Sequence, residues 1–221
     1  MRDILLTFVK APRPGHVKSR LGAAIGHELA AALYRRFAEE ELRSTSPLGG
    51  EYERLLFHAP AGARDEIEAW LPGEELLPQG GADLGERMEA AFREAFRRGA
   101  GRVAIIGTDA PWVSRKHVEE AFTALSDCDM VIGPSVDGGY YLLALKRLQP
   151  QLFRDMRWGT ASVSRDTVER AHRLGLAVAT LEELPDIDTI DDVRRSWREI
   201  KPLLEADEAL FDATVRALGV R

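Results

Sequence analysis

The sequence predicts an α/β fold: a three-layer α/β/α arrangement around a mostly parallel sheet that contains one antiparallel element. Three observations carry this expectation. Short apolar runs of strand length alternate with amphipathic stretches of helical spacing almost throughout the chain. The run Arg102-Val-Ala-Ile-Ile-Gly-Thr-Asp-Ala-Pro111 is apolar on both faces, as a central parallel strand is, and it stops at Gly107 to deliver one carboxylate, Asp109. Finally, too few residues separate the strand ending near Gly133 from the one starting near Gly139 for a parallel crossover, so the reversal falls there.

The bulk properties fit one such domain over residues 1–221, long enough to bury about 70% of the surface of its unfolded chain. No repeat, low-complexity tract or long linker divides it. The net charge is −6, from 36 acids against 30 bases spread along the chain, which argues against a nucleic-acid or anionic-membrane partner. A phosphate ligand would therefore need a local concentration of cations. The single Cys128 excludes an intramolecular disulfide framework and a cysteine-based zinc site, and it fits a reducing compartment. The first apolar stretch, Ile4 to Val9, is too short for a leader, and no segment approaches the roughly eighteen apolar residues of a membrane span. The expectation is a cytoplasmic protein.

In order, Asp3 to Val9 reads as the first strand, ended by the Pro/Gly loop Lys10 to Gly15. Leu21 to Ser44 is helical, with Leu29, Ala32, Leu33, Phe37 and Ala38 on one stripe. Arg54 to Ala59 is a strand stopped by Pro60, Arg64 to Trp70 a short helix, and Leu76 to Gln79 a brief strand. Asp83 to Arg98 has the clearest helical stripe (Leu84, Met88, Ala91, Phe92, Ala95, Phe96), closed by Gly99 and Gly101. After the central strand come a helix over Ser114 to Ser126 and strands over Asp129 to Gly133 and Gly139 to Leu145. A helix over Ser162 to Leu174, a strand over Leu176 to Leu181, and helices over Thr189 to Leu204 and Ala206 to Leu218 complete the pattern.

Chemistry concentrates in the loops. Lys10-Ala-Pro-Arg-Pro-Gly-His-Val-Lys-Ser-Arg-Leu21 places Lys10, Arg13, Lys18 and Arg20 around Gly15, just ahead of a helix whose free amides also favour anions. It has the spacing of neither a Walker A loop nor a dinucleotide fingerprint. In Gln79 to Met88, Asp83 reads as a helix cap, and the glycines also permit a ligand to approach the backbone closely. Gly107-Thr-Asp-Ala-Pro111 lies where the ligand crevice of an open α/β sheet is found, outside a strand's carboxyl end. In Gly133 to Tyr141, a tight turn accounts for Asp137, Gly138 and Gly139 but not for their combination with Tyr140. Arg157-Trp-Gly-Thr160 offers Trp158 as a pocket wall or a core residue. In Asp186-Ile-Asp-Thr-Ile-Asp-Asp192, Thr189 and Asp192 form a capping pair, which leaves Asp186 and Asp188 over.

This ordered set, namely the Lys10–Leu21 loop, Asp83-Leu-Gly-Glu-Arg-Met88, Gly107–Pro111, Gly133-Pro-Ser-Val-Asp-Gly-Gly-Tyr-Tyr-Leu142, Trp158 and Asp186–Asp192, resembles the bacterial DUF2064 family. Its members are often labelled glycosyltransferase-like, or rSAM/selenodomain-associated transferase 1. The match covers roughly residues 4 to 193. The resemblance implies a GT-A fold of the nucleotide-diphospho-sugar transferase type, related to the guanylyltransferases. The Asp-x-Asp metal motif usual in glycosyltransferases is here Thr108-Asp109-Ala110, with a single carboxylate. Lys18-Ser19-Arg20-Leu21 resembles the guanylyltransferases' Lys-Ser-Arg-Leu, which would place Lys18 and Arg20 on phosphates.

The expected function is a transferase dependent on Mg²⁺ or Mn²⁺ that uses a nucleotide-sugar donor and a small-molecule acceptor. The alternatives are nucleotidyl transfer to a phosphorylated acceptor, a metal-dependent phosphate-ester hydrolase, and a nucleotide-binding protein without turnover. Asp109 and Asp188 would hold the cation, with Asp186 and then Asp137 as rivals for the second position. Lys10, Arg13, Gly15, Lys18, Arg20, Gly107 and Thr108 would face the nucleotide and its phosphates. Asp137, Gly138, Gly139, Tyr140 and Trp158 would face the acceptor, with Asp109, Asp137 and Lys18 nearest the reacting atoms. No general base is assigned from the sequence; Asp137 and Asp188 are the candidates.

Overall fold

The apolar runs become the strands β1 (Arg2–Lys10), β2 (Glu53–Ala59), β3 (Leu76–Pro78), β4 (Ala100–Ile106), β5 (Met130–Pro134), β6 (Tyr140–Leu145) and β7 (Val178–Thr180) in a computed structural model that describes residues 2–219. They form one sheet in the order β3-β2-β1-β4-β6-β5-β7. β1 pairs in parallel with β2 and β4, β2 with β3, and β5 with β7. The reversed strand is β6, antiparallel to both β4 and β5 with Leu143 opposite Ile105 on one side and Ile132 on the other. The expected α/β class and its single antiparallel element are both present.

Successive strand residues face opposite layers, and each layer buries its own apolar set. On one face Ile4, Leu6, Val103, Ile105 and Leu143 pack with Met88, Ala91, Phe92 and Ala95 of the helix Leu84–Arg97, which follows the third strand. On the other, Leu5, Ala104, Ile106, Val131 and Leu142 pack with Val118, Ala121 and Phe122 of the helix Arg115–Ala124. Full burial of each such side chain is worth about 1.5–3 kcal/mol. The helices are α1 (Ser19–Ile25), α2 (His27–Ser44), α3 (Arg64–Trp70), α4 (Leu84–Arg97), α5 (Arg115–Ala124), α6 (Val163–Arg173), α7 (Ile190–Arg195), α8 (Trp197–Leu204) and α9 (Glu208–Leu218). Leu33 and Phe37 of α2 join Val193, Ile200, Leu204 and Leu218 in a further cluster that carries α7, α8 and α9. No helix among the described residues is long and apolar enough to cross a membrane.

Two helices expected to be continuous are each divided. The stretch Leu21 to Ser44 is α1 and α2, separated by Gly26 at φ 93°. A helical residue cannot adopt that backbone, so Gly26 closes α1 through its N–H to the Gly22 carbonyl and opens α2 at a new angle. The stretch Thr189 to Leu204 is α7 and α8, divided at Ser196 with φ −96° and ψ 14°. Each side of the break supplies one residue, Val193 and Ile200, to the same cluster.

The topology fixes where a ligand can lie. From β1 the chain moves outward to β2 on one side, while β4 docks on the other, so the crevice at the carboxyl ends of β1 and β4 is a topological switch point. Because β6 is reversed, its amino end, Tyr140, arrives at that same edge.

Candidate active site

Two side chains of α2, two helical turns apart and so on one face, hold the turn that carries Asp109. Tyr34 Oη accepts the Lys10 N–H at 2.8 Å and lies 2.9 Å from Thr108 Oγ1, which in turn donates to the Phe8 carbonyl at 3.1 Å. Glu41 Oε2 accepts the Ala110 N–H at 3.3 Å. The residues on either side of Asp109 are therefore fixed from one rigid helix. Glu41 is only 1% exposed, and burial together with the nearby Asp109 charge pushes its carboxyl well above the ordinary range. The hydroxyl of Thr108 is fully engaged by these bonds, so it supports the β1–β4 junction and is not free for a phosphate.

Lys18 forms the centre of the charge arrangement. Its backbone is left-handed, with φ 46° and ψ 47°, an unusual conformation for a residue other than glycine. Its side chain is 2% exposed, with Nζ 2.5 Å from Asp109 Oδ1 and 3.4 Å from Asp188 Oδ1. Arg20 pairs with the other oxygen of Asp188. Desolvation would raise the Asp109 carboxyl and lower the Lys18 ammonium, but their attraction prevails: Asp109 is held below the usual carboxylate range, and Lys18 above its ordinary value. Asp188 is thus joined to Asp109 across a chain separation that no local pattern could reveal. It does not cap α7: Thr189 and Asp192 do that, with the Thr189 N–H on Asp192 Oδ2 at 2.7 Å and the Asp192 N–H on Thr189 Oγ1 at 3.3 Å.

Three adjoining cavities make a groove across this edge. The first, about 250 Å³, is lined by the carboxylates of Glu41, Asp109, Asp137, Asp186 and Asp188, with Tyr140 and Trp158. The second, about 340 Å³, is lined by Phe8, Leu84, Met88 and Ile105 together with Tyr34, Gln79 and Arg87, and it shares Gly107, Asp109 and Tyr140 with the first. The third gathers Lys10, Arg13, His16 and Arg87, and it shares Lys10 and Gln79 with the second. The groove therefore runs from acidic through apolar to basic. Arg13 is already paired with Glu66 at 2.7 Å, and Gly15 forms its loop's turn at φ 79°.

Of the residues expected on the acceptor side, Asp137, Gly139, Tyr140 and Trp158 line the acidic cavity, and Gly138 does not. Asp137 Oδ1 accepts the Gly139 N–H at 2.8 Å, leaving its second oxygen without a partner among the described residues. Gly138, at φ 88°, lies so close to the following loop that a Cβ would stand 2.1 Å from the Ala161 carbonyl oxygen. Its own carbonyl accepts the Ser164 N–H at 2.9 Å, and this clamps the segment that follows Trp158. The indole N–H of Trp158 is buried beside Gly85 without a partner among the described residues. Tyr140 directs its hydroxyl to Met88 Sδ at 3.5 Å, away from the carboxylates. Burial, reinforced by Asp137, raises the Asp186 carboxyl to about 6.

Sequence reasoning did not find Tyr34, Glu41 or Arg87. The available signal was a tyrosine and a glutamate on the apolar stripe of α2, where no polar group is expected without a buried partner. As for a metal, no three His, Cys, Asp or Glu side chains among the described residues are grouped to hold one. Asp109 and Asp188 share the Lys18 ammonium, which marks a point where positive charge is already favoured. Their hard oxygen donors suit Mg²⁺ or Mn²⁺.

No curated protein matches the chain in sequence. A protein from Desulfovibrio desulfuricans G20, assigned by name to the nucleotide-diphospho-sugar transferases, is 36% identical over 97% of this chain and 99% of its own, with a TM-score of 0.87. A 4-diphosphocytidyl-2C-methyl-D-erythritol synthase from Anaerococcus prevotii DSM 20548 shares the fold at 12% identity, covering 90% of this chain and 98% of its own, with a TM-score of 0.58. The manganese complex of Rv0371C from Mycobacterium tuberculosis H37Rv does so at 14% identity, 88% and 97% coverage and a TM-score of 0.54. A family model described as "Uncharacterized protein conserved in bacteria (DUF2064)" matches residues 47–160. With that match and the near full-length relative, the chain belongs to the DUF2064 family and has the fold of the nucleotide-diphospho-sugar transferases.

Proposed function

We propose that the chain is a divalent-cation-dependent transferase acting on a nucleotide-activated donor, with a nucleotide sugar as the donor and a small molecule as the acceptor. The observation that carries this reading is Lys18 held between Asp109 and Asp188, with Asp109 at the meeting of an acidic and an apolar cavity. The name of the Desulfovibrio relative supports it. Asp109 and Asp188 would hold Mg²⁺ or Mn²⁺, which when bound neutralises charge developing on a leaving diphosphate. Lys18, Lys10 and Arg20 would orient the phosphates by charge-assisted contacts. Asp137 and Trp158 would line the acceptor's place, and Asp137, with one oxygen unpartnered, is the better placed of the two candidate bases because Asp188 is paired twice. Alignment of donor and acceptor in one groove is then the protein's main contribution.

A second reading is nucleotidyl transfer to a phosphorylated acceptor. It is favoured by the single carboxylate at the end of β4 and by the basic third cavity, which suits an additional phosphate. The fold of the Anaerococcus synthase agrees with either reading. The deciding experiment is a thermal-shift panel of nucleoside diphosphates, triphosphates and nucleotide sugars, each with and without Mn²⁺, on wild type and Asp109→Asn. Wild type is expected to show Mn²⁺-dependent stabilisation by at least one nucleotide, and Asp109→Asn to lose it while still folding. Equal Mn²⁺-dependent shifts in the two proteins would remove Asp109 from the cation site.

A further inference from the structure

We propose that Lys18 is a place-holding cation that makes divalent-ion binding at Asp109 and Asp188 conditional on a ligand carrying a diphosphate. This rests on the reading of those two aspartates as the cation-holding pair. The ion-paired groups are two carboxylates, Asp109 and Asp188, and two cations, Lys18 and Arg20, so the pairing is balanced, with Asp137 and Asp186 of the same cavity adding negative charge beyond it. A divalent ion added alone would have to displace the Lys18 ammonium, whose side chain is 2% exposed, from oxygens it already holds.

The ion and the ammonium also compete for the same oxygens. Nζ already lies 2.5 Å from Asp109 Oδ1 and 3.4 Å from Asp188 Oδ1, between the groups that would ligate the ion. Lys18 can yield only if another anion receives it. Two or more phosphate charges provide one, restore the balance and pair with the ammonium at once. A nucleoside or an uncharged sugar cannot. The left-handed backbone of Lys18 agrees with this, because the ion pairs at the end of its side chain hold a conformation that lysine rarely adopts.

The test counts Mn²⁺ bound by the whole chain in equilibrium dialysis, alone and with inorganic pyrophosphate, for wild type, Lys18→Met and Lys18→Gln. Melting curves verify folding and give a second readout. Wild type is expected to retain Mn²⁺ only with pyrophosphate. Both variants should bind Mn²⁺ alone about tenfold more tightly than wild type, a change equivalent to ~1.4 kcal/mol. Mn²⁺ should also raise their melting temperatures more than that of wild type. Adding Asp109→Asn to Lys18→Gln should abolish the gain.

Wild type that binds Mn²⁺ alone as tightly as the variants, or a gain that survives Asp109→Asn, would overturn the proposal and leave a cation-dependent transferase standing. Absence of bound Mn²⁺ from every protein, with or without pyrophosphate, would overturn both the proposal and the cation-holding pair beneath it. Should both substitutions prevent folding, the wild-type arm decides by itself, since tight binding of Mn²⁺ without pyrophosphate contradicts a place-holding lysine.

Discussion

Glu41 contributes through a hydrogen bond to the turn beside Asp109, and its burial gives that bond its importance. Replacement by alanine would leave the Ala110 N–H buried without an acceptor, at a cost of about 1–3 kcal/mol, and would loosen the turn. Glu41→Ala is therefore expected to lower stability in urea and to weaken Mn²⁺-dependent nucleotide binding in calorimetry. Glu41→Gln, which keeps an oxygen acceptor of the same shape, should retain both. If the glutamine variant loses binding as severely as the alanine variant, the carboxylate itself is required. Asp186 makes the opposite kind of contribution. Burial and Asp137 raise its folded-state carboxyl to about 6, above the ordinary 3.8, so the stability it contributes is complete below pH 3.8 and is lost as pH rises through about 6. Asp186→Asn should therefore melt above wild type at pH 7.5, with the difference disappearing near pH 3.5. A difference that stays constant across that interval would contradict the assignment.

Among the elements, the turn joining β5 to β6 and the loop ahead of α6 act as one unit through Gly138. Gly138→Ala introduces a methyl group where the Ala161 carbonyl oxygen stands, on a backbone at φ 88°, and is expected to destabilise the chain by at least ~1 kcal/mol. Hydrogen exchange should quicken around residues 158–164, on the wall of the acidic cavity, while the strands near β1 remain protected. The same unit shows what the sequence could convey. Local pattern revealed the strands, the reversal before Tyr140, the Asp83 cap and the Thr189–Asp192 cap, because each depends on residues a few positions apart. It did not reveal that Gly26 and Ser196 divide two apolar stripes, since the periodicity of a helix continues across a bend when both sides face one core. Asp188 was legible as a surplus acid, but its pairing with Lys18 depends on the fold of the whole chain. Glu41 was hidden by its position on a stripe that otherwise reads as core.

At the scale of the molecule, the groove assembles its acidic, apolar and basic parts from loops at a single sheet edge. Its basic end comes wholly from the first half of the chain, whereas its acidic end draws on both. Lys10, Arg13, Lys18, Glu41, Arg87 and Asp109 all precede β5, whereas Asp137, Asp186 and Asp188 follow it. The reversed strand β6 is the seam, since it is β4's neighbour and separates β4 from β5 in the sheet. A chain made from its amino end thus emerges with the cations and the central strand first, and completes the carboxylate side last. Until β6 is laid along β4, the outer edge of β4 has no strand beside it, and until residue 188 follows, Lys18 lacks its partner Asp188. The interval between translating residues 106 and 145 is accordingly the time in which the nascent chain presents an open strand edge and an unfinished charge balance together.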